Sequence, residues 1–308
     1  MAEIAVGEAV GEGFGLIRRK PLAVLTWGLL QTSLIVLAFM AVAPMYAALI
    51  AAAVRQAQTG AAAAPPDLQG MMQAQSLVYL VDMASFVASA VTSCAVFRAV
   101  LRPEQGAFAY LRLGAAELYL AVLIFAGAMV VGVGMFVAMI PILLVVFVLV
   151  GLHAGAAAAI FGVVVAIAAV VAAFYLGLRV SLVGPMMVDD GQFRLTEAWA
   201  LTKGKVVGLL AIGLLLMLIL IAGEIILGLI MVVAGAGVLG VLAGGLQNIP
   251  VLLQQQPQAL VGRLTPFLAI AALVWIPLSG CAAAVVSAPW ARAYRDLRPK
   301  RDIAETFA

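Results

Sequence analysis

Charge is what this sequence has least of. Charged residues make up 10% of its 308 positions and apolar residues 66%, a balance that cannot furnish the surface of a water-soluble chain. Histidine occurs once, at His153, and cysteine twice, at Cys94 and Cys281. A lone histidine excludes an ordinary histidine metal site and a convincing catalytic triad, and no CxxC pair, Walker A pattern or HExxH is present. Both cysteines lie in apolar runs and read as small hydrophobes, so they say nothing of redox compartment. No matched acid, base and nucleophile can be named. The expectation is therefore a protein that is not an enzyme and needs no cofactor, metal or nucleic acid.

What the chain has instead is long apolar runs. Some 20 residues at 1.5 Å rise cross a hydrocarbon layer about 30 Å thick, and here such runs fill most of the sequence. The scarce cations map their ends. Fifteen of the 17 Lys and Arg residues fall into four stretches: Arg18, Arg19 and Lys20; Arg98, Arg102 and Arg112; Arg179, Arg194, Lys203 and Lys205; and Arg292, Arg295, Arg298, Lys300 and Arg301. Only Arg55 and Arg263 lie elsewhere. Placing the clusters on one side by the positive-inside rule requires an even number of crossings between them. The stretch from Leu118 to Val188 is too short for four crossings, so it holds two helices meeting near Gly151 to Gly155. The result is an all-α, polytopic membrane protein with six transmembrane helices, Pro21–Val54, Ser76–Leu101, Glu117–Leu152, Ala156–Val188, Lys205–Ala234 and Thr265–Arg292. Both termini are then cytoplasmic in a bacterial inner membrane, and the first run, preceded by glutamates and too long for a signal peptide, stays as an anchor. Several helices exceed one crossing, so their ends project or kink at Pro44 and Pro141. Ala47 to Ala53 and Ala154 to Ala159 form close-packed tips. Gln56 to Gln75 and Ala236 to Arg263 are outer loops, the second resting Leu246, Ile249, Leu252 and Leu253 on the outer leaflet.

Three short segments look alike: Gly13-Phe14-Gly15-Leu16-Ile17-Arg18, Ala107-Phe108-Ala109-Tyr110-Leu111-Arg112 and Ala198-Trp199-Ala200-Leu201-Thr202-Lys203. Each places a basic residue four positions after an aromatic one, shortly before an apolar run. The runs close alike too, with Phe97-Arg98 through Pro103, Tyr294-Arg295 through Pro299 and, more weakly, Leu178-Arg179 through Pro185. This pattern reads as one membrane domain of three tandem units, 1–103, 104–190 and 191–300, each an interfacial helix followed by a helical hairpin. The first interfacial helix carries Val6, Val10, Phe14 and Ile17 on its apolar face. The third is expected to begin at Asp189-Asp190-Gly191 and to bury Leu195, Ala198 and Trp199.

Ionisable groups inside the membrane are costly, about 2.5 to 3.5 kcal/mol on insertion scales, and therefore informative. Asp82 and Glu224 are the clear cases, about 24 and 28 Å along their helices from Arg98 and Lys205. Pro277, followed by Ser279 and Gly280, marks a candidate broken helix at a similar depth. Asp82, Glu224, Pro277 and Ser279 are thus expected to line a polar cavity for a cation, a proton or a polar headgroup. Against this stand an interfacial Asp82 and a protonated packing role for Glu224. Arg98, Glu117 and Arg179, at helix ends, read as an ion pair or as holders of lipid phosphates, with plain interfacial snorkelling as the ordinary alternative.

The stretch Leu178-Arg179-Val180-Ser181-Leu182-Val183-Gly184-Pro185-Met186-Met187-Val188-Asp189-Asp190-Gly191, followed by Glu197-Ala198-Trp199-Ala200-Leu201-Thr202-Lys203-Gly204-Lys205, resembles a turn of the bacterial six-helix membrane domain fused to some glycerophosphodiester phosphodiesterases, and of its stand-alone relatives. Tyr294-Arg295-Asp296-Leu297 is similar to the same group. The phosphodiesterase barrel with its acidic metal site is missing, so that activity does not carry over. The resemblance implies an inner-membrane protein in contact with lipids. The expected function is to bind or transport a small polar or lipid-like substrate, with proton coupling through the carboxylates. The alternative is a structural or assembly protein that acts as an oligomer, and Gly and Ala richness favours tight association of a homo-oligomer.

Overall fold

The computed structural model describes residues 5–38, 40, 68–243 and 257–298, and every regular element in that part is helical. The elements are α1 (Val6–Arg19), α2 (Pro21–Ala38), α3 (Leu68–Leu101), a 3₁₀ turn (Ala107–Tyr110), α4 (Ala115–Gly151), α5 (Gly155–Val180), α6 (Val183–Asp190), α7 (Leu195–Leu201), α8 (Val206–Ala243) and α9 (Pro257–Leu297). Six are long and apolar enough to cross a membrane: α2, α3, α4, α5, α8 and α9. The exposed surface of these helices is largely apolar. Val130, Phe136, Leu144 and Phe147 of α4 and Leu218, Ile225, Leu229 and Val232 of α8 are all exposed. A helix apolar all round without a protein core to cover it needs a bilayer as its solvent.

Several boundaries differ from the sequence reading. α3 starts at Leu68, inside the expected loop Gln56 to Gln75, because Met, Gln and Ala continue a helix without penalty. α8 runs on to Ala243 and α9 starts at Pro257, so both enter the expected loop Ala236 to Arg263. Glycines there do not stop an apolar helix, and Pro257 suits a first helical position, where no N–H is needed. Pro44, Ala47 to Ala53, Arg55, Leu246, Ile249, Leu252 and Leu253 fall outside the described residues. Pro141 sits inside α4, which continues through it. The long apolar stretch divides where α4 ends at Gly151 and α5 begins at Gly155, and the two helices pack together. The expected single helix Ala156–Val188 is interrupted at Ser181 and Leu182. Pro185 is the cause, since its ring opposes the Ser181 carbonyl one turn back.

The short segments ahead of the apolar runs also differ from expectation. α1 buries Ala9, Val10 and Leu16 and leaves Phe14 46% exposed. Residues Ala107–Tyr110 form no amphipathic helix. Phe108, Ala109 and Tyr110 have φ of 51°, 56° and 64°, a left-handed turn that costs L-residues roughly 1–2 kcal/mol each. The pair Asp189-Asp190 closes α6 instead of opening the next helix, with Gly191 (φ 71°) as a left-handed cap whose N–H bonds the Met187 carbonyl at 2.8 Å. α7 starts at Leu195, burying Ala198 while Leu195 and Trp199 stay exposed.

Two compact units divide the chain. The first comprises Met1–Gly13, Ala90–Leu214 and Ser287–Ala308, the second Phe14–Ser89 and Leu215–Val286.

Candidate functional site

In the second unit α2 and α9 meet with no side chain between them. A Cβ on Gly28 would stand 1.8 Å from the Ile276 carbonyl oxygen, and one on Gly280 would stand 2.0 Å from that of Val24. Two glycines therefore let the backbones touch, the close crossing that small residues permit in membranes. Ser279 Oγ lies at this crossing, 3.1 Å from Thr32 Oγ1, 3.2 Å from the Gly28 carbonyl and 3.0 Å from the Ile276 carbonyl. Ser279 and Thr32 are both buried. Two of the expected cavity residues are thus placed otherwise. Pro277 does not break α9, which is helical from Pro257 to Leu297, and the Ser279 hydroxyl takes up the Ile276 carbonyl beside it. Ser279 is spent on the helix seam.

Asp82 and Glu224 stand on exposed helix faces near the middle of α3 and α8. Neither makes a hydrogen bond or ion pair among the described residues. Their neighbours Tyr79, Met83, Ile221 and Ile225 are exposed and apolar or aromatic.

In the first unit the arginine-bearing helix ends are each tied to a segment that precedes an apolar run. Arg98 of α3 donates to the Tyr110 carbonyl at 3.2 Å and pairs closely with Glu117 Oε1. Both charged groups are buried, and Glu117 Oε2 accepts no hydrogen bond among the described residues. Tyr110, itself buried, donates its hydroxyl to the Pro103 carbonyl at 3.0 Å, which helps to hold the left-handed turn. Arg292 of α9 reaches Glu8 at 2.8 Å and Glu12 at 3.7 Å on α1, with Arg295 3.9 Å from Glu12. Arg298 and the Tyr294 hydroxyl both meet Asp189 Oδ2, at 3.1 and 3.2 Å, while Arg102 takes the Asp189 carbonyl. These cations offset an acidic side chain at a helix C-terminus, where the dipole disfavours it.

Arg179 of α5 is held differently. Its Nη1 donates to the Trp199 carbonyl at 3.4 Å and Thr202 Oγ1 at 3.2 Å, and its Nε and Nη2 donate to the Tyr175 hydroxyl at 3.1 and 3.0 Å. The guanidinium stacks 5.0 Å from the Trp199 ring centre and 5.4 Å from that of Tyr175. Sequence reasoning missed Tyr110, Thr202, Asp189 and the Glu8/Glu12 pair as partners. The repeated spacing of aromatic and basic residues was the available signal.

No protein-family model, curated protein or solved structure matches this chain.

Proposed function

We propose that this multi-pass membrane protein binds a lipid-like molecule that approaches Asp82 and Glu224 sideways from the bilayer. The observation that carries this reading is the placing of those two carboxylates: mid-helix, exposed, and without a polar partner among the described residues. A carboxylate facing hydrocarbon costs several kcal/mol unless a polar or cationic group meets it. An amphiphile with a polar or cationic head supplies that group while its tails stay in the lipid. A proton carried by either carboxylate is the coupling such a site offers. The resemblance to the membrane domain of glycerophosphodiester phosphodiesterases points to the same lipid contact, in a bacterial inner membrane with the arginine-rich ends cytoplasmic.

The test is the thermal stability of the purified protein as lipid extract is titrated in. Asp82→Asn and Glu224→Gln are expected to weaken the stabilisation about tenfold in lipid concentration, the value of one charge-assisted hydrogen bond. An unchanged titration in both variants refutes the reading. A second reading, a homo-oligomeric assembly protein, is favoured by the Gly28–Gly280 seam, where small residues bring two helices of one chain into backbone contact. It predicts that the same substitutions alter the number of copies associated and leave the lipid titration alone.

A further inference from the structure

Three arginines stand at corresponding points of the chain, each near the end of a long helix and each gripping the segment that comes before another apolar run. In two of the three grips a carboxylate from this chain faces the guanidinium: Glu117 for Arg98, and Glu12, 3.9 Å away, for Arg295. In the third, Arg179 touches only neutral oxygens and aromatic faces, and no carboxylate pairs with it among the described residues. We infer that Arg179, Tyr175 and Trp199 form a binding site for a phosphate group, which occupies the place that a glutamate fills in the other two grips.

The donors fit that anion. Nη1 is committed to the Trp199 carbonyl and Thr202, which fixes the plane of the guanidinium. Nη2 spends one hydrogen on Tyr175 and retains the other. The Tyr175 oxygen already accepts from Nε and Nη2, so its own hydrogen is left for an outside acceptor. One N–H and one O–H then serve two phosphate oxygens, a pairing to which arginine is well suited. Tyr175 and Trp199 are 41% and 40% exposed, so the site is open. Aromatic rings of this kind settle at headgroup level, where lipid phosphates lie. A lipid headgroup and a soluble phosphate share this chemistry. The inference rests on the membrane reading but not on Asp82 or Glu224, so it survives their failure and can fail without them.

The experiment measures binding to the full-length protein in neutral nanodiscs, using phosphatidylglycerol, inorganic phosphate and a diglucosyl diacylglycerol that lacks phosphate. Any glycolipid binding should not respond to substitution of Arg179 or Tyr175, while binding of phosphatidylglycerol or of inorganic phosphate at Arg179 is expected, according to whether the ligand is a lipid or a soluble anion. Arg179→Gln should weaken it about tenfold or more, and Tyr175→Phe, which keeps the ring packing, about threefold. Arg194→Gln, at an exposed arginine paired with Glu197, should leave it unchanged. Glycolipid binding weakened by Arg179→Gln as much as phosphatidylglycerol binding, or equal affinity of the wild type and the Tyr175→Phe and Arg179→Gln variants for both phosphatidylglycerol and inorganic phosphate, overturns the assignment.

Discussion

Replacing Gly28 by alanine tests the α2/α9 seam with a single methyl group. That methyl would sit 1.8 Å from the Ile276 carbonyl oxygen and 2.9 Å from the Gly280 nitrogen, both of them backbone atoms that no rotamer change can move aside. A carbon and a carbonyl oxygen need about 3.3 Å, so the helices must part locally by roughly 1.5 Å. Ser279 Oγ now lies 3.1 Å from Thr32 and 3.2 Å from the Gly28 carbonyl, and such a separation breaks both contacts. Interhelical hydrogen bonds in membranes contribute about 0.6 kcal/mol on average. Weak Cα–H···O contacts across the crossing add about 0.5–1 kcal/mol each, and overpacking strain another 1–3 kcal/mol. Less the helix-propensity gain of about 0.5–1 kcal/mol that alanine brings, the expected loss is about 2–4 kcal/mol, read by thermal or denaturant unfolding in mild detergent. Gly132→Ala and Gly134→Ala are the controls: no other side chain or backbone lies within 4 Å of the added methyl, and helix propensity predicts a gain of about 0.5–1 kcal/mol. A Gly28→Ala protein within about 0.5 kcal/mol of wild type refutes the crossing.

Three further predictions follow from the first unit. Arg98→Ala leaves Glu117 buried without its cation and should cost about 3–5 kcal/mol, with the Arg98→Ala/Glu117→Leu double variant recovering much of that loss in the same unfolding assay; a double variant no better than the single sinks the pairing. Gly191→Ala forces a methyl into the left-handed cap of α6 and should cost about 1–2 kcal/mol, whereas Gly127→Ala, in a helix, should not destabilise. Ala109→Gly relieves a positive φ and should raise stability by about 0.5–1 kcal/mol, and a loss of that size would show the turn to be built otherwise.

The six spans were legible because they depend on composition and length, which a bilayer reads directly. The end of α5 was less so: Pro185 was visible, but its effect on Ser181 depends on the turn one step back being helical. Asp189 shows the limit of local rules. An acidic pair before a glycine reads as a helix start by its charge and as a helix end by Gly191. The deciding term is a set of cations, Arg102 and Arg298, 87 and 109 positions away in sequence. Ser279 and Pro277 looked like transport residues because a proline beside a serine marks many broken helices. The seam that uses Ser279 required Gly28, about 250 residues earlier, and nothing local to Gly28 distinguishes it from the chain's other glycines. Tyr110 was hidden for another reason, since three successive left-handed residues have no propensity signature and are held by Arg98 and Pro103.

Native mass spectrometry of the wild type beside an Asp82→Asn/Glu224→Gln double variant, released from mild detergent with their co-purified lipid, reads bound lipid and copy number in one spectrum. A lipid held at these two carboxylates predicts the same number of copies in both and a lipid adduct that is lost from the double variant. An undiminished adduct, or a change in copy number with the lipid retained, would contradict it.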